Sequence, residues 1–276
     1  DWAKKHTCII NSETGSLQIL EAQSIIDESI NKERNNETFF SKFTNQDLMS
    51  LGVSEDLLEY IKRIDNENEL ENFRKNIPDG SKKNIQKYFL NARLRYKRLE
   101  ALIEYYFNPF AVQINGAPIP YFEEDDPDKG QLEPAGMQVI EALIFPVYNS
   151  GKKEELLALT NRLITNAKTM LETNESFAFN DEYIIDAVIE ELYRITALGL
   201  TGFDAQLSGN GLPECKAALI GVQNILISYK KNFDVAGIDK FSMIDKLFKE
   251  AALYFEKNNN FNAFNRVDFI RNYLTP

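Results

Sequence analysis

An amphipathic helical pattern runs into a glycine-punctuated stretch, E-E-L-Y-R-I-T-A-L-G-L-T-G-F-D-A-Q-L-S-G-N-G-L-P over 190–213. This junction constrains the fold more than any other segment. Ile184, Val188, Ile195 and Leu198 recur ahead of it at the spacing of a helix that buries one face. The pattern stops among Gly199, Gly202, Gly209 and Gly211, and a new helix leaves at Pro213. So many glycines in one connection imply positive backbone angles or close approach of neighbouring chain. Phe203 is expected as a plug between helices, and Asp204 as an acceptor for backbone amides of the turn. Glu191 falls among the apolar residues of the arriving helix. A carboxylate there has to be paired, hydrogen-bonded or protonated. Arg93, Arg95 and Arg98 on the longest helix are its expected partners. A structural ion pair is favoured over a ligand- or metal-facing role.

The rest of the chain also reads as helices. Helical spacing runs from Ser16 to about Glu33, and two short helices follow, capped by Thr44 and Ser54 with Gly52 at the turn. The phrase D-L-M-S-L-G-V at 47–53 is similar to small interaction modules of the sterile-alpha-motif and helix–hairpin–helix kinds, although an ordinary helical turn is the favoured reading. Pro78-Asp79-Gly80-Ser81 makes a clear break. The longest helix is predicted from Lys82 to Phe107, with Ile85, Phe89, Ala92, Tyr96, Leu99, Ile103 and Tyr106 as its buried seam. Lys87, Arg93, Arg95, Lys97 and Arg98 are expected on its flanks and outer face. Asn108-Pro109 ends or kinks it, and a loop with Gly116, Pro118 and Pro120 follows. Pro134 is expected in the first turn of a helix reaching Phe145, with Glu133 at its positive end. Further helices are predicted from Gly151 to Thr173, from Asn180 or Asp181 into the glycine stretch, and from Pro213 to Lys231. The last two run from Lys240 to Lys257 and from Arg266 to Leu274. The fold class is therefore all-α, a multi-helix bundle with mostly antiparallel neighbours. No stretch alternates at period two and no repeat is visible.

Composition narrows the function classes. The 276 residues suffice for one large helical domain or two small ones, and 43% hydrophobic content supports a sizeable core. A net charge of -11 disfavours nucleic acid and anionic membrane as partners. No apolar run is long enough to span a membrane, and no signal peptide is visible. His6 is the only histidine, so imidazole catalysis and haem ligation cannot be assembled without it. A zinc site lacks ligands for the same reason. Cys8 and Cys215 leave a disulfide undetermined; Cys215, on a buried face, reads as an inert thiol. The acidic run 123–128 lacks the spacing of a calcium-binding helix–loop–helix and reads as a solvated loop. The expected polar cluster, joining the long helix, the Pro134 helix and the glycine turn, is Arg93, Tyr96, Glu100, Glu133, Glu141, Glu191, Arg194 and Asp204.

Five phrases in order carry a family resemblance: A-R-L-R-Y-K-R-L-E-A-L-I-E-Y-Y-F at 92–107, L-E-P-A-G-M-Q-V-I-E-A-L-I-F at 132–145, E-L-Y-R-I-T-A-L-G-L-T-G-F-D at 191–204, the helix from Leu212 to Leu226, and F-N-R-V-D-F-I-R-N-Y-L-T-P at 264–276. Together they resemble the helical N-terminal region of Bacteroidetes di-haem cytochrome c peroxidase-like proteins. The resemblance covers residues 82–276 and divides the chain from an N-terminal helical segment, 1–80, of unassigned role. In such proteins the region that follows holds two C-x-x-C-H motifs and haem c, and reduces hydrogen peroxide with electrons from a small cytochrome. This chain has no C-x-x-C-H. No catalytic, cofactor or metal residue carries over, and the chain alone is expected to be non-catalytic. The resemblance implies export to the periplasm and a haem domain of the same polypeptide as partner. A fainter similarity to imelysin-like bundles meets an absent G-x-H-x-x-E signature. A stand-alone helical ligand-binding module is the competing class, with Tyr105, Tyr106, Tyr121 and Phe203 as the lining of its concave site.

Overall fold

The computed structural model describes residues 69–122, 131–173, 179, 181–230 and 241–276. The helices read in 16–64, His6, Cys8 and the acidic run 123–128 lie outside these residues. The described chain is an all-α bundle: α1 (Glu69–Asn76), α2 (Lys82–Tyr106), α3 (Asn108–Asn115), α4 (Met137–Ile144), α5 (Lys153–Thr173), α6 (Asp181–Arg194), α7 (Gly211–Ser228), α8 (Phe241–Lys257) and α9 (Arg266–Phe269). The one departure is a two-residue antiparallel pair, Tyr121 opposite Leu132 and Phe122 opposite Gln131. Among the described residues no helix is long and apolar enough to cross a membrane.

Helix α2 is the central element. Ser81 caps it by accepting from the Asn84 amide at 3.3 Å. Its seam of Ile85, Phe89, Ala92, Tyr96, Leu99 and Ile103 is buried as the spacing predicts. Helix α7 packs along it most extensively, at a crossing where Gly221 lies against the α2 backbone. A Cβ at Gly221 would sit 2.3 Å from the Arg98 carbonyl oxygen, so only glycine permits this approach.

Two boundaries differ from the sequence reading. Pro109 does not lead into a loop; it sits in the first turn of α3, where a missing N–H costs nothing. Pro134 does not start α4. That helix begins after Gly136, whose φ of 96° and close approach to the Ile114 carbonyl set the entry instead. Helix α1 belongs to the bundle as well, because Phe73 and Ile77 are fully buried in its core.

The apolar interior has two parts. The larger joins α1–α5 to one side of α7 through residues such as Phe89, Leu102, Ile140, Leu156 and Val222. The smaller joins the end of α6 to α7, α8 and α9 through Ile195, Leu212, Cys215, Phe255 and Phe269. A buried polar layer lies along α2 and α7 next to both.

Candidate functional site: a buried polar layer

Position 93 begins a polar stripe on α2. Arg93, Lys97, Glu100 and Glu104 follow one another at steps of four, three and four residues. That is the step of the apolar seam Ala92, Tyr96, Leu99 and Ile103, displaced by a single residue. Both rows therefore share the inward side of the helix. The expectation that Arg93 and Lys97 lie on the outer face is wrong: they are 1% and 4% exposed. α7 and the glycine turn pack over α2 there, so the stripe cannot reach water.

Each buried cation finds acids brought by other elements. Arg93 holds Glu214 in a bidentate pair, Nε to Oε1 and one terminal nitrogen to Oε2, both at 2.7 Å. Its remaining donors reach Asn115 Oδ1 at 3.2 Å and the Asp204 carbonyl at 2.8 Å. Glu214 is in the first turn of α7, where the helix dipole favours an anion, and accepts also from Asn210. Lys97 Nζ donates to both Glu100 oxygens, at 2.6 and 2.8 Å, and to Asp204 Oδ2 at 2.6 Å. Arg194 on α6 reaches Glu100 at 3.3 Å and Glu104 at 3.1 Å, and Tyr96 donates to Glu104 at 2.6 Å. Glu141 on α4 accepts the Ser208 amide at 2.9 Å. Burial raises the pKa of Glu104, while Lys97 and Arg93 hold the Asp204 carboxyl below its ordinary value against the effect of burial.

The glycine connection makes this convergence sterically feasible. α6 ends in a π turn, Ile195–Gly199, closed by the Leu200 amide donating to the Ile195 carbonyl at 2.8 Å. Gly202 and Gly209 have φ of 78° and 67°. Gly199 lies against α7, where a Cβ would stand 2.5 Å from Cys215 Sγ. Positive angles and close approach, both expected from the sequence, therefore occur together. Arg266 of α9 locks the turn from outside by donating to the Leu200 carbonyl at 2.6 Å.

Of the expected cluster, Arg93, Tyr96, Glu100, Glu141, Glu191, Arg194 and Asp204 take part in this layer; Glu133 does not. It is exposed, because its helix starts after Gly136 rather than at Pro134. Three further assignments change. Asp204 pairs with Lys97, not with turn amides. Phe203 is 51% exposed and plugs nothing. Arg93 is taken by Glu214, and Arg194 of the same helix stands 3.7 Å from Glu191. Sequence reasoning missed Lys97, Glu104 and Glu214. The displaced α2 stripe was a signal for the first two.

No family model matches the chain, and no curated protein matches it. Its chemistry has to be read from the geometry. The gap left in the layer is a cavity of about 10 Å³ bounded by Lys97, Glu100, Glu191, Arg194, Asp204 and Cys215. That is room for one water. Burial pushes the Cys215 thiol well above its ordinary pKa, which leaves it unreactive. Cys215 does not fit a covalent haem either, since no C-x-x-C-H surrounds it. Among the described residues no three histidine, cysteine or acidic groups stand close enough to hold a metal. The layer ties α2, α6, α7 and the glycine turn together through its ion pairs.

Proposed function

We propose that this chain is a non-catalytic helical region of a di-haem cytochrome c peroxidase-type protein, exported to the periplasm and packed beside a haem domain of the same polypeptide. One observation supports the reading: four of the five phrases that carry the resemblance place residues in the polar layer. Residues 92–107 contribute Arg93, Lys97, Glu100 and Glu104; 132–145 contribute Glu141; 191–204 contribute Glu191, Arg194 and Asp204. The fourth phrase contributes Glu214, and the last lies outside the layer, where Arg266 holds the glycine turn. Their likeness is thus accounted for by a shared helical scaffold, with peroxide chemistry left to haem c in the region that follows. Electrons would arrive there from a small cytochrome.

The test is to read the native coding sequence beyond the codon for Pro276. Two C-x-x-C-H motifs in frame are expected. A stop codon directly after Pro276 would remove the peroxidase reading. A second reading, a stand-alone ligand-binding helical module, is favoured by one separate feature. An apolar cavity of about 90 Å³ lies between α1, α2, α4 and α5, lined by Leu70, Ala92, Leu99, Met137 and Met170. Tyr105, Tyr106 and Phe203, the lining first expected, are not among the residues around it.

A further inference from the structure

Glu191 is the one carboxyl of the layer whose donors are missing. It is 1% exposed, and neither of its oxygens has a hydrogen-bond partner. On α2, Lys97 has three N–H groups, and its contacts to Glu100 and Asp204 engage them. Glu104 on the same helix is a second acid, occupied by Tyr96 and Arg194. On α6 itself, Arg194 turns a terminal nitrogen to Glu100 and Glu104, and its Nε stays 3.7 Å from Glu191, beyond hydrogen-bonding range. That Nε is also buried without a partner. In the glycine turn, Asp204 faces Lys97; on α7, Glu214 faces Arg93 and Cys215 presents a thiol. Glu100, another acid, borders the same small gap as Glu191, and its charge acts on Glu191. Glu100 already accepts from Lys97 and Arg194, so it is the better-stabilised anion of the two.

We propose that folded Glu191 is a protonated carboxylic acid that donates a hydrogen bond to Glu100. One buried water in the adjoining cavity then accepts from Arg194 Nε and donates to the other Glu191 oxygen. This satisfies both orphaned groups at once. A bare carboxylate at the same place would be a buried charge without a donor, which folded proteins avoid.

The pair joins α6 to α2 as a proton-dependent clasp. Burial and the neighbouring Glu100 charge both raise the Glu191 pKa above the ordinary value of about 4.3. A raised folded-state pKa gives stability that is fully present below the unfolded value. It is lost as pH rises through the folded value. Alkali should therefore loosen the end of α6 and the glycine turn first.

The direct test is NMR on the unaltered 276-residue chain with carbon-13 at the glutamate side-chain carboxyls, assigned through the backbone. At about pH 7, where an ordinary glutamate is ionised, the Glu191 carboxyl carbon is expected at the acid position. A nuclear Overhauser contact from a long-lived water to Arg194 Nε–H is expected with it. Glu191 at the carboxylate position overturns the proton, and absence of the water contact overturns the water. As a second measurement, Glu191→Gln, which mimics the acid, should keep the parent melting temperature near neutrality and make the alkaline decline shallower, leaving the share that belongs to Glu104. A variant whose alkaline decline is as steep as the parent's contradicts the proposal. So does a parent whose melting temperature rises with sodium over choline at equal ionic strength, because a metal cation would then be the neutralising group.

Discussion

At the scale of single residues, the layer depends on charge pairing that tightens from both directions of pH. Asp204 has a folded pKa below its ordinary value because of Lys97 and Arg93. Its contribution is present above the unfolded pKa and disappears as pH falls through the folded one. Glu104, raised by burial, behaves in the opposite sense and loses its contribution as pH rises. Replacing Asp204 by Asn should therefore lower the melting temperature at neutral pH and flatten the acid limb of its pH profile. The alkaline limb should stay as in the parent. A melting-temperature series from about pH 3 to 9 checks this; an unchanged acid limb would place the acid-sensitive group elsewhere. At this scale the sequence was partly legible. Glu191 announced itself because it interrupts an apolar face. Arg93 and Lys97 did not, because a basic residue one position off a seam can be read as snorkelling. Only the α7 crossing, a long-range fact, closes water out. Glu214 was hidden for the same reason: a glutamate in a helix's first turn usually needs no partner beyond the dipole.

Among the elements, glycines set how closely the helices approach. Gly221→Ala puts a Cβ 2.3 Å from the Arg98 carbonyl and must push α7 from α2, at a cost of about 1–3 kcal/mol. Gly209→Ala meets nothing within 4 Å and bears only its positive φ, about 1–2 kcal/mol. Equilibrium urea unfolding of both variants separates crowding from backbone strain. Gly199 offers a paired check. Its added Cβ would collide with Cys215 Sγ at 2.5 Å, and Cys215→Ala removes that atom. Gly199→Ala should be destabilising alone and much less so with Cys215→Ala, a coupling of about 0.5–3 kcal/mol in a double-mutant cycle. Additive costs would mean that the two residues do not touch. The glycine cluster itself was visible in the sequence, as were the α2, α5, α8 and α9 segments, because helical period and breakers are local signals. The α3 and α4 boundaries were not: Pro109 and Pro134 are both compatible with a first turn, and contacts around Gly136 decide between them.

For the whole molecule, the polar layer lies beside both apolar cores and links the helices that carry them. A buried ion-pair layer adds little net stability over apolar packing, but removing one partner leaves an uncompensated charge. Unfolding of the parent should be a single transition, with far-ultraviolet and near-ultraviolet circular dichroism coinciding. Lys97→Ala, which strips the cation from Glu100 and Asp204 together, should separate the two signals as the smaller core loosens first. The central claim is that this layer is structural. Its most direct test is the Arg93–Glu214 pair, measured by urea unfolding of Arg93→Met, Glu214→Leu and the double variant. The account predicts that each single change costs about 3–5 kcal/mol and that the double variant recovers most of the parent stability. Single variants as stable as the parent, or more so, would contradict it. Residues kept at a stability cost belong to a working site, and the layer would then have to be read as a ligand or catalytic centre.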